Sequence, residues 1–367
     1  MRVLIDCRMY NGNTLHGLAR RDYMTIKELA ALKPEWEFGA LLCTPCMDDL
    51  TSEYNNISTV LTKARPFTLR EHCELPKIIA DWHPAVYNAT SIAVPCRIPG
   101  RYVVTVPDLT MYHYPRTFLD RWYHKLILAP VLRKARRVAV YCEDGARDVS
   151  ENLGIDRSKI DLVYQGADAS MARPTTVEQR ARTREKFAIK DTPYILCVTN
   201  PKIHKNLPRF LQAWEEFKRI DHKNYQLVVV SSMAPWLSER LKGGLNEVRV
   251  LSGISDEDLR SLYQDCDFLA FPSLSEGFGL PAVEAMSVGK PVLAANTTSL
   301  PEVVGEAGLL CDPFSIEDMA RKISLLVNDR QLYDNLKIHC LPRANQFTWK
   351  MVAQRHVDCY MKAIADP

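Results

Sequence analysis

Glu276 and Glu284 stand with seven residues between them in the segment EGFGLPAVE, and those residue types at that spacing suit the grip of a polyhydroxy ligand. The surrounding run, FLAFPSLSEGFGLPAVEAMSVGKPVLAA at 268–295, reads as strand, glycine-bearing loop, helix, turn and strand. Pro281 suits the first position of that helix, where its missing N–H would have had no partner anyway. Gly277 and Gly279 let the backbone come close to a ligand and aim N–H groups at its oxygen atoms. Glu276 precedes the helix and Glu284 lies about one turn inside it, so both can face one pocket. A carboxylate accepts two neighbouring hydroxyls at once, the pattern that a sugar presents. A plainer role fits the same residues, with Glu276 as a loop cap and Glu284 as a solvated helix position, because glycine-bearing turns of this kind are common.

The elements that would hold these residues follow from periodicity. Short apolar runs at 3–5, 38–42, 102–106 and 138–141, then at 194–198, 226–230, 248–251, 268–271 and 291–294, read as strands. Helical patterns at 20–32, 119–134, 207–219, 256–264 and 281–287 separate them. That alternation is the mark of parallel βαβ units. A polar, charged stretch at 166–191 divides the chain, giving domains at 1–168 and 169–348, and 349–365 is helical in pattern. The expected architecture is α/β, with two Rossmann-like doubly wound domains facing a cleft and ligand at the carboxyl ends of the strands.

A chain of 367 residues exceeds what one hydrophobic core usually serves. With 47% hydrophobic and 25% charged residues it has the balance of an ordinary soluble protein. A net charge of +3 is too small to argue for nucleic acid as partner. Eleven scattered cysteines, several inside apolar runs, suit buried reduced thiols better than a disulfide framework. The pair Cys43 and Cys46 has no second pair at zinc-site spacing, so no metal site is expected. The N-terminus turns polar by Asp6, and no run approaches the roughly 20 apolar residues of a membrane span. A cytoplasmic protein is the expectation.

The segment 268–295 resembles the signature of retaining glycosyltransferases of family 4, which have the GT-B fold. VRVLSGISDEDLRSLYQDCDFLAFPS at 248–273 and TSLPEVVGEAGLLCDPFSIEDMARKI at 298–323 are similar to that family's flanking segments. FTWKMVAQRHVDCY at 347–360 is similar to its terminal helix, which implies that 349–367 crosses back onto the first domain. The resemblance covers the second half specifically and the first half more weakly. It implies that Glu276 contacts the transferred sugar near its anomeric centre and that Glu284 binds the ribose hydroxyls of a nucleotide. Backbone around Gly277, Phe278, Gly279 and Leu280 would hold sugar hydroxyls or phosphate oxygens, and Gly253 and Ile254 would frame the base.

Three further segments take roles from the same resemblance. TNPKIHKNLPRFLQAW at 199–214 is similar to the family's diphosphate-binding turn. Lys205 matches the family lysine, His204 stands where an arginine is usual, and Lys202 becomes the second cation. A lysine at a helix N-terminus would stabilise the departing diphosphate; a surface lysine at a turn is the alternative. In IDCRMYNGNTLHGLARRDY at 5–23, the Asp6-Cys7-Arg8 triplet matches and Gly17 would bring backbone to the diphosphate, with Ala19 replacing the second glycine. In VVTVPDLTMYHYP at 103–115, Asp108 keeps its match as a catalytic-site residue, Pro107 replaces the family histidine, and His113 lies nearby.

The implied reaction moves a hexose, mannose by preference, from a GDP- or UDP-linked sugar to a glycan or lipid-linked acceptor in polysaccharide biosynthesis. No cofactor beyond that co-substrate is expected. Rivals are a nucleotide-sugar epimerase of the same fold and a catalytically silent sugar-nucleotide binder. A nicotinamide dehydrogenase lacks its required G-x-G-x-x-G element here. The stretch 116–137 mixes apolar and aromatic residues with Arg121, Lys125, Arg133, Lys134, Arg136 and Arg137. It reads either as peripheral contact with the inner face of a membrane or as an ordinary amphipathic helix and a solvated basic turn.

Overall fold

The computed structural model describes residues 1–10, 12, 17–115, 117–167, 170–242, 244–245 and 247–365. Arg116 of the basic stretch, residues 11 and 13–16 of the N-terminal turn, and residues 168 and 169 at the expected domain boundary lie outside the described residues. The chain forms two compact units, Met1–Gly166 with Trp349–Pro367, and Ala167–Thr348.

The first unit is a parallel sheet of β1 (Arg2–Asp6), β2 (Glu37–Leu42), β3 (Ile57–Leu61), β4 (Val86–Ala89), β5 (Tyr102–Val106), β6 (Arg137–Val140) and β7 (Ile160–Leu162). Its order is β3-β2-β1-β4-β5-β6-β7, so the winding reverses between β1 and β4. Asp6 at the end of β1 stands opposite Leu41 on one side and Ala89 on the other. The inner strands are buried apart from the first residues of β1, β2 and β6, as expected of strands covered by helices on both faces. Leu4, Tyr87, Val104, Leu132 and Val138 share the core beneath one face.

The terminal helix Trp349–Ala365 belongs to this unit. Tyr360 Oη accepts a hydrogen bond from Asn88 Nδ2 at 2.8 Å, and Lys362 reaches Asp161 at 2.7 Å. Gly166 is needed where this helix begins, since a Cβ there would sit 2.4 Å from the Trp349 ring.

The second unit holds β8 (Tyr194–Val198), β9 (Gln226–Val230), β10 (Val248–Leu251), β11 (Phe268–Phe271), β12 (Val292–Ala295) and β13 (Gly308–Cys311). These are parallel in the order β10-β9-β8-β11-β12-β13, with the winding reversed between β8 and β11. Phe210, Trp214 and Phe217 of the helix Leu207–Ile220 pack with Phe268, Leu227 and Ile195. The polar connection resolves into a helix, Val177–Lys186, whose Arg184 and Lys186 pair with Asp265 and Asp258.

Candidate functional site

In an open parallel sheet, ligand binds outside the carboxyl ends of the strands where the winding reverses. In the second unit that place is the pair of loops after β8 and β11. The first turns through Ile203–Lys205 into Asn206, a left-handed residue at φ +58° that starts the helix Leu207–Ile220. The buried Asn206 side chain donates to Pro272 O at 3.1 Å and to Pro313 O at 2.7 Å. Leu274 N donates to His204 O at 2.7 Å. These bonds join the β8 turn to the β11 loop and bring their side chains together. Lys205 Nζ accordingly lies 2.7 Å from both carboxylate oxygens of Glu276. The two side chains are 16% and 10% exposed.

The Glu276 loop is held from its other side by three consecutive hydroxyl residues that follow β12. Thr297 Oγ1 donates to Ser273 O at 3.1 Å, and Thr298 Oγ1 accepts from Glu276 N at 3.1 Å. The Ser299 hydroxyl lies 2.8 Å from Phe278 O and 3.1 Å from Glu276 O. The chain then passes through Gly279 at φ +109° into the helix Leu280–Ser287, with Pro281 in its first turn. A Cβ at Gly279 would sit 2.8 Å from Leu300 Cδ2, so both conformation and space require glycine there.

Glu284, half-buried on that helix, accepts a hydrogen bond from Tyr263 Oη at 2.8 Å. Tyr263 is fully buried on the helix Asp256–Asp265. Burial, and then the Glu284 carboxylate, push the phenol well above its ordinary range, so it stays a donor and orients the carboxylate.

The remaining expected residues fall in several places. Gly253, exposed at φ +63°, and the half-buried Ile254 follow β10. Lys202 is exposed and makes no ion pair among the described residues; its N–H donates to Asn200 Oδ1. In the first unit, Gly17 opens the helix Gly17–Leu32, exposed at φ +57°. Asp108 follows β5, half-buried, and its carboxylate accepts from Thr110 N at 2.7 Å. His113 pairs with Asp148 at 2.8 Å.

The Asp6-Cys7-Arg8 triplet has a structural part. Arg8 is buried and donates to both Asp6 oxygens, to Glu71 at 3.0 Å, and to the carbonyls of Ala64 and Ala93. Tyr87 Oη donates to Asp6 at 2.9 Å, which completes a buried network tying β1 to its neighbours. Cys43 and Cys46 are free thiols, each held up by burial, and no group of three or more potential metal ligands gathers among the described residues. Of the residues that shape the site, Asn206, Tyr263 and the 297–299 hydroxyls drew no role from the sequence. Their one signal was adjacency, since Asn206 follows Lys205 and the hydroxyl run follows the strand after the glutamate helix.

Residues 179–339 match the family of glycosyl transferases group 1. O-antigen chain mannosyltransferase B of Escherichia coli is 27% identical over 290 residues, covering 77% of this chain and 75% of that protein. The serotype-specific mannosyltransferase WbdA of Escherichia coli is 30% identical over 289 residues, 76% of this chain but only 35% of the relative. Among solved structures, HepE of Anabaena in complex with UDP and glucose superposes with a TM-score of 0.72 at 17% identity, over 98% of each chain. Two parallel, doubly wound units with a charged pair at the switch point of the second, the GT-B architecture, are thus accompanied by a match to the group 1 glycosyl transferases over residues 179–339 of that second unit.

Proposed function

We propose that this glycosyltransferase moves mannose, with retention, from GDP-mannose to a glycan or lipid-linked acceptor during polysaccharide synthesis. The observation that carries the reading is the contact of Lys205 with Glu276 at the switch point between β8 and β11. A lysine there can meet the diphosphate of a donor, and a carboxylate there can accept hydroxyls of its sugar. The names of relatives support the sugar, since they include O-antigen and serotype-specific mannosyltransferases. UDP-sugars come next, because HepE is a structure with UDP and glucose.

The residues would act by charge and position. The bond between the anomeric carbon and the diphosphate oxygen breaks, and the acceptor oxygen bonds to that carbon from the same face. The acceptor proton passes to an oxygen of the leaving diphosphate. Lys205, with Lys202 and the N–H groups of 277–280, would offset the charge developing on that leaving group. Glu276 would orient the sugar, Glu284 would hold the ribose, and Gly253 and Ile254 would frame the base. The first unit, with Gly17 opening the helix Gly17–Leu32 and Asp108 following β5, would serve the acceptor. No step calls on a metal ion.

A thermal-shift panel of GDP, UDP and their sugars tests the donor, and stabilisation by none of them would sink the reading. Lys205→Ala should lower kcat about 100- to 1,000-fold, in line with the loss of one fixed charge at a developing anion. Incubation with donor alone should yield no rearranged sugar; accumulation of an epimer would favour the rival.

No described helix is long and apolar enough to cross a membrane. Peripheral contact at the cytoplasmic face has support in the first unit, where Phe118, Leu119, Trp122 and Leu126 are 59–74% exposed beside Arg121 and Lys125. Phe67, itself exposed, meets Tyr123 at 5.6 Å between ring centres and extends this apolar surface toward Leu69. Such a surface buries its apolar side chains among acyl chains and its cations among anionic headgroups. Co-sedimentation with phosphatidylglycerol vesicles should fall several-fold in Trp122→Ser/Leu126→Ser with catalysis on a soluble acceptor intact.

A further inference from the structure

We infer that Glu276 is an internal competitor of the spent nucleotide for Lys205, so that the site discriminates the intact donor from the nucleoside diphosphate it releases. The inference rests on the donor-site reading above and deepens it. An ammonium group has three donors, and here both oxygens of a single carboxylate lie 2.7 Å from it. With the two side chains only 16% and 10% exposed, water offers Glu276 little compensation if Lys205 turns away.

The two ligands treat that pair differently. A nucleotide sugar brings hydroxyls together with its diphosphate. As Lys205 turns to the phosphates, the sugar hydroxyls donate to Glu276, and the carboxylate remains satisfied. A nucleoside diphosphate brings negative charge and no hydroxyls at that position. It must draw Lys205 away while leaving Glu276 without donors beside a second anion.

The loop cannot relieve the conflict cheaply. Glu276 N and O are both tied, to Thr298 and Ser299, and Ser299 also holds Phe278 O. On the lysine side, Asn206 and the Leu274-to-His204 bond hold the β8 turn against the same loop. After transfer, the sugar departs on the acceptor and Glu276 recovers Lys205. That exchange favours release of the nucleotide.

The test is calorimetric titration of GDP and GDP-mannose, with UDP and UDP-glucose in parallel, into wild type, Glu276→Gln, Lys205→Met and the double variant. Glutamine keeps the shape and removes the competing charge. Glu276→Gln should bind the nucleoside diphosphate roughly fivefold tighter while the nucleotide sugar gains nothing, so that their affinity ratio shrinks. In the Lys205→Met background the same substitution should give a clearly smaller gain, because only like-charge repulsion is then relieved, and a purely structural effect on the loop would not depend on Lys205 in this way. Glu276→Ser, smaller and equally uncharged, should show the same sign. Glu276→Gln binding nucleoside diphosphate no tighter than wild type, or a gain undiminished by loss of Lys205, overturns the inference and leaves the donor reading standing. Wild type that binds none of the four ligands overturns both.

Discussion

A buried donor can matter to a site it never enters. Tyr263 is fully buried with its hydroxyl on Glu284, and the proposed ribose contact depends on where that carboxylate points. Tyr263→Phe removes one hydrogen bond and leaves the packing. The expected result is a three- to tenfold loss of GDP affinity with kcat unchanged at saturating donor, in keeping with about 1 kcal/mol for such a bond. Calorimetry with GDP and its 2′,3′-dideoxy analogue checks it, because the analogue should bind variant and wild type alike. Arg8 shows the opposite case, a matched residue whose side chain is spent on the fold. Arg8→Met leaves Asp6 and Glu71 buried without their cation. It should cost roughly 3 to 5 kcal/mol in urea unfolding.

At the scale of elements, the second unit works as three strand-to-helix turns laced together. The turns after β8 and β12 each contribute side chains that bond the backbone of the β11 turn, so the Glu276 loop is held on both flanks. Gly279→Ala tests how much of this depends on one backbone conformation. It should destabilise the unit by roughly 2 to 3 kcal/mol, since φ of +109° is strained for alanine and its Cβ would press on Leu300. A donor-induced rise in melting temperature should shrink along with it, as both ends of the loop lose their position. Strand legibility followed the same physics. The long apolar runs of β2, β5, β8, β9 and β11 were readable because inner parallel strands are buried on both faces. β3 exposes much of its length at the sheet's edge, β7 spans only Ile160–Leu162, and β13 begins on a glycine. β4 includes the buried polar Asn88, whose partners are Tyr360 and Thr105 from distant segments. None of these carries a local signal strong enough to stand out.

For the whole molecule, the clearest expectation concerns acid. His356, on the terminal helix, is buried against Tyr360, and burial with help from Arg21 lowers its pKa from 6.5 to about 3. The unfolded chain therefore takes up a proton below pH 6.5 that the folded chain refuses, and stability is lost as pH falls through that value. Asp22, also buried and pushed up to about 6, works in the other sense: its stabilising share is full below 3.8 and gone above 6. Comparing wild type with His356→Gln isolates the histidine. The stability lost between pH 7 and pH 5 should be about 2 kcal/mol smaller in the variant, by linkage. Equal pH dependence in the two proteins, measured by urea titration, would refute the assignment.

What the sequence determined by itself was the kind of fold and the glutamate-bearing loop after β11, because strand alternation, helix starts and a glycine-flanked glutamate pair are local patterns. Glu276 was named from such a pattern, and Lys205 from the resemblance of 199–214 to a family's diphosphate-binding turn. Their contact was not, because it depends on Asn206, Thr298 and Ser299 bonding backbone groups tens of residues away. The same holds for Tyr263 beneath Glu284, and for Arg8, whose five donors close a network reaching from Ala64 to Ala93. Periodicity and motifs report what a segment prefers. Which buried donor finds which acceptor is decided only when parallel strands, ordered by their crossovers, bring distant turns to one edge of a sheet.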